Sequence, residues 1–178
     1  LPYDSLAQLR QAFVAAHPAS SFFHLSGWRK VVTQSLGHDC PYLVTRDGDA
    51  IRAVRPLTEI RSLLFGHVMV SSGFCVGGGL LAADPDAGAR LLAEAEALGR
   101  ERGAGYIELR DCDAAGAPWQ SRSDLYAGFE GPIAAGEEDN LKQIPRKQRA
   151  VLRKAMQQGF EITIERSARP FFDLYART

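Results

Sequence analysis

At Pro41 the spacing of apolar residues changes, and that change restricts the fold more than any other feature of the chain. Upstream, Leu6, Leu9 and Phe13 recur at three- and four-residue intervals after Asp4, which predicts an amphipathic helix over residues 4–16, ended by His17-Pro18. A second helix is predicted from a Ser26 cap, with Trp28, Val31, Val32 and Leu36 as its apolar stripe and Gly37 as a left-handed stop. Downstream the period shortens to two. Residues 42–46, the turn Asp47-Gly48 and residues 50–59 read as a β-hairpin; Pro56, which has no N–H for a ladder, is expected at an edge or a bulge. Phe65-Gly66 marks another turn, and residues 68–74 a third strand that runs into Gly77, Gly78 and Gly79.

The second half returns to helical spacing and then alternates again. Asp84-Pro85-Asp86 combines a capping carboxylate, a proline at the first helical position and a first-turn acid; Leu91, Leu92, Ala95 and Leu98 supply the buried face of a helix closed by Gly103. Strands are predicted at 106–110 and 125–129, a basic helical region at 140–158 with Pro145 near its start, and a last strand on the alternation of Phe160, Ile162 and Ile164. A helix from Ser167 carries Phe171, Phe172 and Tyr175 with nothing after them to bury them. Leu91, Leu92, Leu98, Ile107, Leu109, Ile162 and Ile164 are the expected core. The predicted class is mixed α/β: a mostly antiparallel sheet flanked by helices, without internal repeats.

Composition excludes several alternatives. With 46% hydrophobic and 24% charged residues in 178, the chain can bury a core, so disorder is a poor reading. No window approaches the ~18 uninterrupted apolar residues of a membrane span, and the first residues show neither a basic nor an apolar signal segment, so a cytoplasmic protein is expected. Cys40, Cys75 and Cys112 show no CxxC spacing and no histidine at ligand distance in sequence, so neither a disulfide framework nor a metal site is expected. Lys and Arg equal Asp and Glu at 21 each, yet residues 141–178 hold 9 bases and 3 acids. A basic element is joined to a mildly acidic body.

Few residues point to chemistry by themselves. The triple glycine lacks both GxGxxG and GxxxxGK[ST], and Asp84 and Asp86 occupy the helix start where a phosphate would sit, so a packed turn is expected there. His17, His24, His38 and His67 are isolated, and no spacing pairs one of them with Cys75; Asp111 and Asp113 read as loop residues. The run IPRKQRAVLRKAMQQGFEITIE says more, because Arg146, Lys147 and Arg149 crowd the first turns of a helix, where cations oppose the macrodipole. Either an anion sits there, or Glu137, Glu138 and Asp139 neutralise the cluster from just upstream.

The segment PRKQRAVLRKAMQQGFEITIE resembles the basic helix, glycine and strand of the Fem-type (FemAB-related) transferases, a branch of the GNAT acyltransferase superfamily. FFHLSGWRKVVTQSLGH, AIRAVRPLTEIRSLLFGHVMVSSGFCVGGGLLAADPDA and GYIELRD are similar to the subgroup associated with exosortase and exopolysaccharide loci, and the likeness runs over most of residues 20–175. It implies a GNAT-like fold over residues 1–169, with residues 170–178 opening a helix that leads to a second such domain; Phe171, Phe172 and Tyr175 would then pack on that domain or on another copy. It implies acyl or aminoacyl transfer to an amino group of a cell-envelope or exopolysaccharide-related acceptor. Arg146, Lys147 and Arg149 would bind the phosphates of tRNA or a nucleotide-linked precursor. Phe74, Gly77, Gly78 and Tyr126 would shape a cleft, and Tyr126, Glu108 and Asp111 are the general-base candidates. The Q/RxxGxG/A loop for acetyl-CoA is not visible, so no cofactor is expected in this domain, and acyl-CoA or aminoacyl-tRNA would be the donor of the longer protein. The alternatives are a non-catalytic assembly module of polysaccharide export and a CoA-dependent N-acetyltransferase.

Overall fold

The computed structural model describes residues 3–64, 66–110, 119–129, 131–161 and 163–177, so Phe65, Asp111, Cys112, Asp113 and Ile162 lie outside the described residues. The chain divides into two compact units, Leu1–Ser121 and Arg122–Thr178.

The first unit begins with α1 (Tyr3–Ala16) and α2 (Ser26–Ser35), the latter stopped at Gly37 with φ +72°. Then come β1 (Tyr42–Asp47), β2 (Ala50–Ser62), β3 (Gly66–Ser71), the short β4 (Leu81–Ala82), α3 (Pro85–Glu101) and β5 (Tyr106–Glu108). The sheet order is β1-β2-β3-β5, with β4 against β2. β1, β3 and β4 run antiparallel to β2, whereas β5 is parallel to β3. A parallel neighbour requires a crossover, and α3 provides it. The class is therefore mixed α/β, with a mostly antiparallel open sheet flanked by helices.

α3 is held as its sequence predicts. Asp84 Oδ1 accepts the Ala87 N–H at 2.8 Å, Pro85 opens the helix, and Arg52 pairs with Asp84 Oδ2 at 2.7 Å, tying the cap to β2. Leu91 packs with Ala53 and Ala87, and Ala95 with Leu57 and Met69, all buried. Leu92, Leu98, Ile107 and Leu109 are half-buried. A Cβ at Gly99 would lie 2.5 Å from Ile107 Cδ1, so only glycine lets the helix rest this closely on β5.

Three expectations are corrected. Pro56 sits in the central strand, where β3 ends against it, and not at an edge or bulge. Its carbonyl accepts the Ser72 N–H at 3.4 Å, and the Ser72 carbonyl, which a prolyl nitrogen cannot serve, accepts the Cys75 thiol at 2.6 Å. The third strand stops at Ser71 rather than Phe74, because Ser72 turns to φ +35°.

The third correction concerns the second unit. It holds α4 (Glu137–Gln143), α5 (Arg146–Met156) and α6 (Arg169–Tyr175), with Pro145 dividing the basic helical region. Its described residues contain no strand: 125–129 form none, nor do Phe160, Glu161, Thr163 and Ile164, and Ile164 is exposed rather than buried. Alternation fits a strand only where a neighbouring strand takes its N–H and C=O groups. None of the described residues of this unit is buried.

Candidate functional site

The loop that leaves β3 carries Phe74, Gly77 and Gly78. Ser72 and Phe74 both adopt positive φ, at +35° and +63°, a conformation that costs a bulky side chain such as Phe roughly 1–3 kcal/mol. Surrounding groups hold it. Thr58 Oγ1 accepts the Gly73 N–H at 2.8 Å, Trp28 Nε1 donates to the Gly73 carbonyl at 3.3 Å, and the Arg110 guanidinium donates to the Cys75 carbonyl. The Ser72 hydroxyl donates to the Gly78 carbonyl at 2.6 Å, and a Cβ at Gly78 would lie 2.5 Å from the Ser72 hydroxyl oxygen. The glycine run is a close-packed turn. His24 pins its far side: Nδ1 accepts the Ser21 N–H at 3.0 Å, which leaves Nε2 to donate to the Gly79 carbonyl at 3.3 Å.

The rim of this loop is apolar. Phe74 is half-exposed and stacks on His38, with ring centroids 5.1 Å apart, and Val76 is exposed. The other histidines have structural partners, His17 on the Ala82 carbonyl and His67 on Glu59. Glu108 pairs with Arg110 at 2.9 Å. Beside it, a shallow cavity of about 290 Å³ between α3 and β5 is walled by Tyr106 and Trp119, whose Nε1 donates to Glu96. Tyr126 belongs to the second unit and is exposed there.

An ionic cluster that the sequence reading missed lies on β2. Glu59 is buried; its Oε1 accepts from Arg61 and from His67 Nε2, each at 2.7 Å, and its Oε2 from Arg102 at 2.5 Å. Arg102 also reaches Asp39 at 2.6 Å. Burial alone raises the Glu59 carboxyl, but hydrogen bonds from Arg102, Arg61 and His67 outweigh it and hold the pKa at about 2. The same bonds, to Asp39 first and then Glu59, raise Arg102. Every charge here has a partner, so the cluster locks the end of α3 to β2 and leaves no group poised for catalysis. The only hint in sequence was Glu59 and Arg61 on one face of a strand, with His67 across the turn.

In the second unit, α4 and α5 form a helical hairpin. Asn140 pins its entry, with Oδ1 accepting the Ala134 N–H at 2.8 Å and Nδ2 donating to the Ala134 carbonyl at 2.7 Å. Arg149 is turned toward the end of α4. Its Nη2 donates to the carbonyls of Lys142 and Ile144 at 3.1 and 3.0 Å, satisfying orphan acceptors at the negative end of that helix.

The predicted trio is thereby split: Arg149 serves the hairpin, while Arg146 and Lys147 are exposed and form no ion pair among the described residues. Arg153 and Lys154 are exposed in the same way. Asp139 is taken by Lys142 at 2.9 Å, so it does not neutralise them. At 100° per residue, Arg146, Lys147, Arg153 and Lys154 share one arc of α5, and Val151, Leu152, Ala155 and Met156 the other. Leu152 and Met156 join Leu141 and Ile144 around a mostly apolar groove of about 530 Å³, which Glu137 and Asn140 also line. In α6, Phe171 and Tyr175 stack at 5.9 Å and, with Phe172, are exposed.

No protein-family model, curated protein or solved structure matches the chain. Among the described residues no group of His, Cys, Asp and Glu could hold a metal ion, and no helix is long and apolar enough to cross a membrane. Fold and site together define a mixed α/β protein with a strained, side-chain-pinned loop at the end of β3 and, in the second unit, a helical hairpin carrying cations without an ion pair among the described residues.

Proposed function

We propose that the chain is the first, GNAT-like domain of a cytoplasmic Fem-type acyl or aminoacyl transferase, acting on an amino group of a cell-envelope or exopolysaccharide-related acceptor. The observation that carries this reading is the pair Arg146 and Lys147: exposed, without an acid among the described residues, and at a helix end where cations are unfavourable unless an anion is bound. The order of the first unit supports it, with two α-helices, four strands in antiparallel pairing, a helix and a strand parallel to β3. The reaction is attack of a deprotonated amine on an activated acyl carbonyl, with the carbonyl oxygen stabilised by backbone or cationic donors. In this reading Arg146 and Lys147 hold a phosphate group of the acceptor or of tRNA. Acyl-CoA or aminoacyl-tRNA would be the donor of the longer protein, and this domain holds no cofactor.

Charge reversal tests it. Arg146→Glu with Lys147→Glu should lower affinity for tRNA or a nucleotide-linked precursor at least tenfold, flatten its salt dependence and leave the melting temperature nearly unchanged. Unchanged affinity would overturn the reading. The second reading, an assembly module without catalysis, is favoured by one observation, the exposed aromatic cluster of α6; it predicts a stable complex with a partner protein and no transfer by the longer protein.

A further inference from the structure

We infer that α5 is an interfacial helix that binds an anionic bilayer surface; this rests on the reading above that its free cations take phosphates, and names where those phosphates are. Residues 146–156 contain five bases and no acid. One base, Arg149, is used inside the hairpin, and the other four are exposed without an ion pair among the described residues. A single nucleotide phosphate would not use all four. Arg146 and Lys147 are separated from Arg153 and Lys154 by seven residues, about 10 Å along the helix, which suits an array of phosphates.

The apolar arc decides between the arrays. A nucleic-acid backbone asks only for charge, yet Val151 is 67% exposed and Met156 54% exposed, and Val151 lies next to Lys147 and Lys154 around the helix. A strongly charged arc beside a modest apolar one, with low overall hydrophobicity, is the pattern of a helix that lies in the headgroup plane. The long Lys and Arg stems let their charges reach headgroup phosphates while Val151 and Met156 enter the acyl boundary. The groove between Leu141, Ile144, Leu152 and Met156 opens on the same apolar side and offers room for part of an acyl chain. Of the hairpin's acids, Asp139 is paired with Lys142, and Glu137, which shares the first turn of α4 with Glu138, lines the groove beside Asn140, so an acyl chain there would lie against its Leu141, Ile144, Leu152 and Met156 wall.

The test is sedimentation of the 178-residue chain with phosphatidylcholine vesicles and with vesicles containing phosphatidylglycerol, beside a binding assay with unfractionated tRNA. The chain should sediment with the anionic vesicles alone. Lys147→Gln and Lys154→Gln should each weaken that binding about fivefold. Val151→Asp should weaken vesicle binding about tenfold and leave circular dichroism unchanged, because the side chain it replaces is exposed. Equal binding to neutral vesicles, indifference to Val151→Asp, or binding to tRNA with no binding to the anionic vesicles would each overturn the bilayer inference, and the last would leave the phosphate-binding reading standing. Binding to neither would remove both.

Discussion

α3 and α5 are both amphipathic helices announced by a proline, and they are built to opposite rules. α3 places acids at its positive end, Asp84 as cap and Asp86 in the first turn, and covers its apolar side with the sheet. α5 begins with Arg146 and Lys147, has no side-chain cap, and leaves Val151 and Met156 in solvent. In α3 cap, first-turn charge and burial agree with the fold, and its interior glycines Gly88 and Gly99 serve close packing. In α5 charge and burial both run against stability, and sites where local rules are broken are where function is expected.

The contrast can be broken most severely at the core. Leu91→Ala should cost about 3 kcal/mol in urea unfolding, because it empties space between α3 and the sheet. Val151→Ala in α5 should change stability by less than about 0.5 kcal/mol. Comparable losses at the two positions would remove the distinction between a buried and an unburied stripe.

Next comes the lock at the end of α3. Glu59→Gln should cost about 2 kcal/mol, since Arg102 and His67 lose a buried anionic partner while Arg61 is re-solvated. Because the carboxyl titrates at about 2 in the fold against 4.5 normally, the charged form is favoured by folding. Its contribution is complete above pH 4.5 and is lost as pH falls toward about 2. Acid unfolding followed from pH 6 to pH 2 should therefore show a smaller pH-dependent loss in Glu59→Gln than in the parent. An unchanged acid slope would place the acid sensitivity elsewhere.

The helix starts give the smaller effects. Asp84→Ala should lower the melting temperature by about 3 °C, through loss of the Ala87 cap and the Arg52 pair. Arg146→Glu should do the reverse, raising stability by about 0.3 kcal/mol as an acid replaces a base at a positive helix end. A loss of stability there would mean that Arg146 makes a structural contact, and the comparison of the two helices would weaken.

Much of the first unit was legible in the chain. The Asp47-Gly48 hairpin, the Asp84-Pro85 start and the Gly37 and Gly103 stops are local devices, and each stands where its spacing put it. The long-range pairings were not legible. Nothing near Glu59 announces that Arg102, 43 residues away, will meet its carboxylate, or that Ser72 will turn where Pro56 fails to donate. The candidate site divides along the same line: the richness of 145–156 in bases was visible, but only the hairpin separates Arg149, spent on α4, from Arg146 and Lys147, which remain open.

By itself the sequence determined the helical periods, the Asp84 cap and the Asp47-Gly48 turn, though not the Ser26 cap, since α2 starts at Ser26 itself after Leu25; such devices depend on dihedral preferences and hydrogen bonds within a few residues. The tertiary structure decided which alternating segments became strands. Residues 68–71 did, against β2, while 125–129 and the described residues 160, 161, 163 and 164 did not, although their patterns are as clean. A strand is completed by its neighbour's N–H and C=O groups, and the identity of that neighbour is not written in the strand.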